Sequence, residues 1–305
     1  MSLGAYLLRR SGGLLLVLLV TSFLVFGLLY LAPGSPLAFI LGPRGGTPEQ
    51  IAMVTEQYHL DDPFFVRYAA WLGDILRGDL GYSIVYRQDV SSLVSMAAII
   101  IAVVGIGAGT FAALRGGWGD QLTSAFAAVG LSTPSFVIGV ALISVFAVGL
   151  GWFPTFGSGT GGVDTLWHLT LPAVALSVAG AAYLARITRA AVLEESGREH
   201  VQTATVRGLA PGRIVRHHVL RNSLIPIVTV LGLTIATLIA GAVVIENVFA
   251  LDGLGSLLVR AILQRDFAVV QAVILVLVVA FVVVNAIVDF LYTFIDPRIA
   301  LGSRQ

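Results

Sequence analysis

Few residues of this 305-residue chain are spaced as catalytic or ligand-binding motifs require. Gly157, Gly159 and Gly162 fit the GxGxxG pattern of dinucleotide-binding loops, but no strand-like stretch precedes them and a long apolar segment follows. A Walker A loop needs a lysine on the β- and γ-phosphates, and the chain contains no lysine. HExxH and GxSxG are also absent. The sequence therefore predicts no enzymatic activity in this chain and places any ATP chemistry on another subunit.

The sequence also shows no pattern typical of a metal-binding site or of a reactive thiol. The chain has no cysteine, which excludes disulfides and thiolate metal sites. The five histidines show no metal-ligand spacing; they are His59, His168, His200, His217 and His218. We expect no metal site and no cofactor in this chain.

The most unusual stretch is polar and runs from Glu199 to Pro226 with the sequence EHVQTATVRGLAPGRIVRHHVLRNSLIP. Pro211 and Gly212 divide it into two helical pieces, and Gly208 permits a left-handed or close-packed corner between them. Seven arginines lie between residues 186 and 221. Charge alone leaves two hypotheses open, an anchor for lipid headgroups or a compact surface for a partner protein.

The composition predicts the elements that position this stretch. The chain is 57% hydrophobic and 11% charged, with a mean hydropathy of +0.93, which indicates an integral membrane protein. A membrane helix needs about 20 apolar residues. Six stretches meet this length, at 11–32, 91–114, 123–150, 170–193, 223–245 and 268–295. We therefore predict an all-α polytopic membrane protein with six transmembrane helices, folded as a single transmembrane domain over residues 1–305.

The arginine distribution predicts the orientation of these helices. Placing both termini in the cytoplasm puts twelve arginines inside and six outside, in agreement with the positive-inside rule. Residues 33–90 then form an external segment whose apolar residues, at helical spacing, indicate two short amphipathic helices. Residues 194–222 form the longest cytoplasmic loop.

Short motifs along nearly the whole chain carry a resemblance to a known family. Gln202, Thr203 and Ala204, followed by Gly208, match a Glu-Ala-Ala triplet and its glycine, although the Glu and the first Ala are replaced. Other matching pieces lie in order at Tyr6–Arg10, Leu31–Gly34, Gly78–Gly81, Leu220–Asn222, Glu246–Phe249 and Asp296–Arg298. The chain resembles the permease subunits of ABC importers, in the dipeptide/oligopeptide/nickel branch. The departure lies at the second helix, which looks shortened to 91–114.

This resemblance implies a type I ABC-importer permease fold in a bacterial plasma membrane. The implied function is a translocation path for di- or oligopeptides. The implied partners are a homologous second permease, two ATPase subunits or domains that bind ATP and Mg²⁺, and an external substrate-binding protein, with no nucleic acid. The residues implied to couple to the ATPase are Gln202, Thr203, Ala204, Arg207, Gly208 and Leu209. Transport of nickel or another small solute, or ion-coupled secondary transport, remains an alternative.

Polar residues and one proline within the apolar stretches are candidates for the translocation path: Ser132, Pro134, Thr229, Thr234, Asn285 and Asp289. A carboxylate such as Asp289 is costly near the bilayer centre, so it either faces a water-filled path or lies near the inner interface. Small hydroxyl residues also pack helices together, and Ser132-Thr133-Pro134 could kink the third helix. We expect Gly105, Gly107 and Gly109 to mark a close helix contact.

Overall fold

The structure, a computed structural model, describes residues 3–31, 47–57, 61–77, 90–264 and 266–295, and helices are the only regular secondary structure in this part of the chain. In order, the α-helices are α1 (Leu3–Leu31), α2 (Pro48–Gln57), α3 (Phe64–Leu76), α4 (Val90–Arg115), α5 (Gly117–Ser132), α6 (Ser135–Leu142), α7 (Gly162–Ser196), α8 (Glu199–Val206), α9 (Pro211–Ile214), α10 (Arg221–Val248), α11 (Leu254–Gln264) and α12 (Phe267–Ile295). π-helical segments extend α6 over Ile143–Gly149 and join α9 to α10 over Val215–Leu220. The all-α prediction is confirmed for the described residues.

Within the described residues, four helical runs are long and apolar enough to cross a membrane. They are Ser92–Arg115, Gly162–Ser196, Pro211–Val248 and Val269–Ile287. The helices on either side of Thr133 and Pro134 could make a fifth. In α1, the apolar stretch with described side chains covers Gly12–Gly27. A multi-pass membrane protein is therefore established, and the number six stays a prediction.

The predicted span 123–150 is not one straight helix. The axes of Gly117–Ser132 and Ser135–Gly149 differ by 105°. Thr133 takes an extended conformation, φ −100° and ψ 122°, because the ring of Pro134 disfavours helical backbone at the preceding residue. The kink expected at this site is therefore a break between two helices.

The chain forms two compact units, and the first contains residues 89–252 and 283–305. Within it, α7 is the central helix and packs against α4, α5, α6 and α10. A Cβ added at Gly105 would lie 2.8 Å from the Cβ of Leu184, and one at Gly109 would overlap the backbone of Ala185. The close contact expected at these two glycines is confirmed. Gly107 has open space around it, so the expectation is wrong for that residue.

An ion pair ties the start of α5 to α7 in the same unit. Asp120 and Arg189 meet side by side, with Arg189 Nη2 donating to Asp120 Oδ2 at 2.7 Å. The two residues are 69 positions apart in sequence. The pair therefore fixes the start of α5 against the C-terminal half of α7.

The second unit contains residues 3–88 and 253–282, and an aromatic cluster joins α1 to α3 within it. Phe23 and Phe26 contact Phe64, Tyr68 and other rings of α3 at centroid distances of 5.2–6.3 Å. The buried hydroxyl of Ser22 lies 2.8 Å from the Tyr68 hydroxyl. The two short helices predicted within 33–90 are α2 and α3; residues 33–46, 58–60 and 78–89 lie outside the described residues.

Candidate functional site

The polar segment, residues 194–222, turns at a corner after α8 whose geometry is set by Gly208. Gly208 has φ +73°, the left-handed region that an L side chain resists. The Gly208 N–H donates to Thr205 O at 2.9 Å and the Leu209 N–H to Ala204 O at 3.3 Å. This pair of bonds is a Schellman motif with Gly208 as its left-handed residue. The left-handed corner predicted at Gly208 is confirmed.

The second helical piece begins at Pro211, as its chemistry favours. Pro211 is the first residue of α9, where a missing N–H costs nothing, and Ala210 before it is extended. Pro211 starts a helical run that continues through the π-helical segment into α10. The corner therefore lies immediately before a helical run that leads into a long apolar helix.

An apolar cluster fills the inside of the polar segment. Its buried members are Val192, Val201, Ala204, Ile214 and Val219, with Leu209, Leu220 and Ala113 packed against them. Ala204 is only 4% exposed, so the expectation that it faces a partner is wrong. It supports the corner from within, because Ala204 and Leu209 are the two apolar positions that a Schellman motif brings together.

The outer face of the same segment is exposed and basic. Gln202, Thr203 and Arg207 are exposed, and Val206 is 88% exposed, although it is an aliphatic residue. Arg213, Arg216, His217 and Arg221 are also exposed. An exposed apolar side chain in an arginine-rich segment is suited to a partner surface that offers both apolar and acidic groups.

A polar network that sequence reasoning missed lies at the base of the segment; we name it the Glu195 cluster, for Glu195, Arg198, His200 and Asn222. The Glu195 carboxylate is 8% exposed and lies 3.0 Å from Arg198 Nε and 3.2 Å from His200 Nε2. Asn222 Nδ2 donates to Glu195 Oε1 at 2.9 Å and to His218 O at 3.0 Å. The only sequence signal was a carboxylate at the end of a long apolar helix, which normally points to solvent.

The residues predicted to line the translocation path have varied settings. Ser132 and Pro134 lie at the break between α5 and α6, and both are exposed. The hydroxyls of Thr229 and Thr234 donate to Ile225 O and Val230 O at 2.8 and 2.7 Å, one turn earlier in their own helix. The Thr234 methyl would lie 2.7 Å from a Cβ at Gly180, which favours helix packing for this residue.

The last two path candidates, Asn285 and Asp289, belong to α12. Asn285 is half-buried. The Asp289 side chain lies outside the described residues. Their proposed role therefore still rests on the sequence.

Two family matches together cover most of the chain. Residues 105–301 match the family described as "Binding-protein-dependent transport system inner membrane component". Residues 3–93 match the N-terminal region described for the membrane components of the same systems.

Two curated relatives match nearly the whole chain. One is the "Probable peptide ABC transporter permease protein y4tP" of Sinorhizobium fredii, 38% identical over 97% of this chain and 99% of the relative. Another is the glutathione transport system permease protein GsiC of Escherichia coli, 36% identical over 96% of this chain and 98% of the relative.

A solved structure shows the same fold. The matching chain comes from inward-facing conformations of the MetNI methionine ABC transporter, with a TM-score of 0.55 and 21% identity. The match covers 67% of this chain and 92% of that chain.

Proposed function

The chain belongs to the family of binding-protein-dependent transport system inner membrane components, and from this premise we propose that it forms half of a peptide translocation path. It is a permease subunit of an ABC importer and not the ATPase. The single observation that carries the peptide assignment is the near-full-length similarity to a peptide permease and a glutathione permease. Di- and oligopeptides are therefore the proposed substrates.

The proposed complex contains a homologous second permease, two ATPase subunits or domains with ATP and Mg²⁺, and an external substrate-binding protein. The polar segment is its coupling surface, with Gln202, Thr203, Arg207 and Val206 facing the ATPase and Gly208 setting the corner. Support comes from the exposure of these side chains around a corner that is rigidly hydrogen-bonded. ATPase closure would move the corner and, through α7 and α10, switch the path between outward and inward access.

Six membrane spans with both termini in the cytoplasm remain part of the proposal. Because the chain has no cysteine, single-cysteine labelling can test the orientation. We expect Thr205→Cys, at an exposed position of α8, to resist an impermeant maleimide in intact cells and to react after permeabilisation. Asp61→Cys, at an exposed position before α3, is the matched external control. Labelling of position 205 from outside would invert the topology.

The substrate assignment is tested in proteoliposomes that contain the two permeases, the ATPases and the binding protein. Uptake of radiolabelled dialanine, radiolabelled glutathione and ⁶³Ni²⁺ is compared with ATP and with a non-hydrolysable analogue. We expect ATP-dependent uptake of one or both peptides. ATP-dependent uptake of Ni²⁺ alone would refute the peptide assignment, and uptake that follows an ion gradient without ATP would refute the importer mechanism.

A further inference from the structure

The Glu195 cluster crosses the joints on which the proposed coupling depends. Residues 197 and 198 interrupt the helix between α7 and α8, and the π-helical segment Val215–Leu220 interrupts regular α-helix before α10. The backbone can bend at each interruption, so α8 could move there while α7 or α10 stays in place. A partner that displaces α8 moves the membrane helices α7 and α10 only if other contacts keep these two interruptions from bending.

Glu195 is the shared acceptor in this cluster. It lies in the last turn of α7, His200 lies in α8, and Asn222 lies in the first turn of α10. Its carboxylate contacts both His200 and Asn222 through Oε1, and Arg198 through Oε2. A carboxylate that is 8% exposed is costly unless donors satisfy it, and Arg198 and Asn222 donate to it whichever tautomer His200 adopts. These contacts favour one arrangement of the three helices.

We propose that Glu195 is a positioning residue that clamps α8 to the ends of α7 and α10, so that a displacement of α8 reaches both membrane helices. The inference rests on the proposed coupling function of the polar segment. The apolar cluster beneath α8 contains none of the four polar residues, so a substitution in the Glu195 cluster removes none of its packed side chains. The Glu195 cluster therefore controls how rigidly the segment transmits motion rather than whether it folds.

Four variants separate the clamp from general effects. Glu195→Ala removes the shared acceptor, and Asn222→Asp places a second carboxylate against it. The double variant Glu195→Gln/Asn222→Asp exchanges the two groups and restores one carboxylate and one amide across the contact. Glu194→Gln is the matched control, because Glu194 pairs with Arg198 at 3.0 Å but its side chain is 73% exposed.

Two measurements are made on the full-length chain in its assembled complex. The first is the fold stimulation of ATP hydrolysis by the substrate-binding protein, together with the amount of ATPase that co-purifies. The second is the distance distribution between spin labels at cysteines replacing Thr205 and Leu224, both exposed and neither assigned to the ATPase-facing surface. The distribution reports joint rigidity directly and does not require hydrolysis.

We expect Glu195→Ala and Asn222→Asp to retain bound ATPase, to reduce the stimulation about tenfold and to broaden the distance distribution, since a hydrogen bond to a charged group is lost. The exchanged double variant should recover both readouts, and Glu194→Gln should match the wild type. A rigid label distance with normal stimulation in Glu195→Ala would overturn the proposal. So would a folded double variant that recovers neither readout.

The results also distinguish a failure of this inference from a failure of the proposed coupling function. A wild-type chain that binds no ATPase would refute the coupling function. The spin-label distances would then decide the clamp alone, and an unchanged distribution in both single variants would overturn it. If Glu195→Ala lowers the yield of folded chain, Asn222→Asp and its rescue carry the test.

Discussion

Replacing Gly208 by alanine tests whether the left-handed corner holds α8 in the position that an ATPase recognises. Gly208 has φ +73°, where an L residue costs roughly 1–2 kcal/mol. A Cβ at this position would meet no atom within 4 Å, so steric crowding adds nothing to this cost. The free-energy cost of the left-handed backbone conformation alone therefore sets the size of the expected effect. We therefore expect Gly208→Ala to reduce the equilibrium constant for forming the corner about 5–30-fold.

Gly212 is the matched control for this substitution. It lies in α9, a Cβ there also meets open space, and alanine is favoured over glycine in a helix by up to about 1 kcal/mol. The assay is the apparent affinity of the permease complex in nanodiscs for its purified ATPase. Affinity falls in proportion to the competent population, so Gly208→Ala should weaken it by up to about 5–30-fold and Gly212→Ala should not.

The refuting result is equal affinity in wild type and Gly208→Ala, or an equal loss in both alanine variants. The first outcome would show that the corner does not position the docking surface. Gly208→Val should be more severe than alanine, because a β-branched side chain tolerates positive φ least. Because a Cβ at Gly208 meets open space, the loss of affinity does not come from a clash that pushes α8 and α9 apart.

Three further predictions concern other parts of the chain. Gly105→Ala should destabilise the detergent-solubilised complex by about 1–3 kcal/mol in thermal unfolding, because the new Cβ would lie 2.8 Å from Leu184. Gly107→Ala should leave the stability unchanged, and equal effects of the two substitutions would contradict the observed packing. Val206→Asp should weaken ATPase co-purification by at least about tenfold, because burial of a valine contributes about 1.5–3 kcal/mol, and undiminished binding would exclude Val206 from the interface. Asp289→Asn should retain most peptide uptake in proteoliposomes, as expected for a carboxylate near the inner interface; abolished uptake with normal ATP hydrolysis would instead support a role in the path.

The sequence by itself determined the class of the protein and the location of its candidate site. Continuous apolar stretches can exist only where helices satisfy their own backbone polar groups in lipid, so composition alone predicted the all-α membrane fold. The polar segment stood out because charge is costly within such a chain. The corner at Gly208 was also predictable, since a glycine before a proline-initiated helix favours a left-handed turn.

Tertiary structure alone decided which side chains face inward and which helices meet. Ala204 is buried and Val206 exposed because the apolar cluster lies on one side of α8, and neither residue type reveals that side. Glu195 and Asn222 are 27 positions apart, and their contact depends on the crossing of α7 and α10. Local spacing cannot encode such a contact, because the distance between two helix ends is fixed by the packing of everything between them.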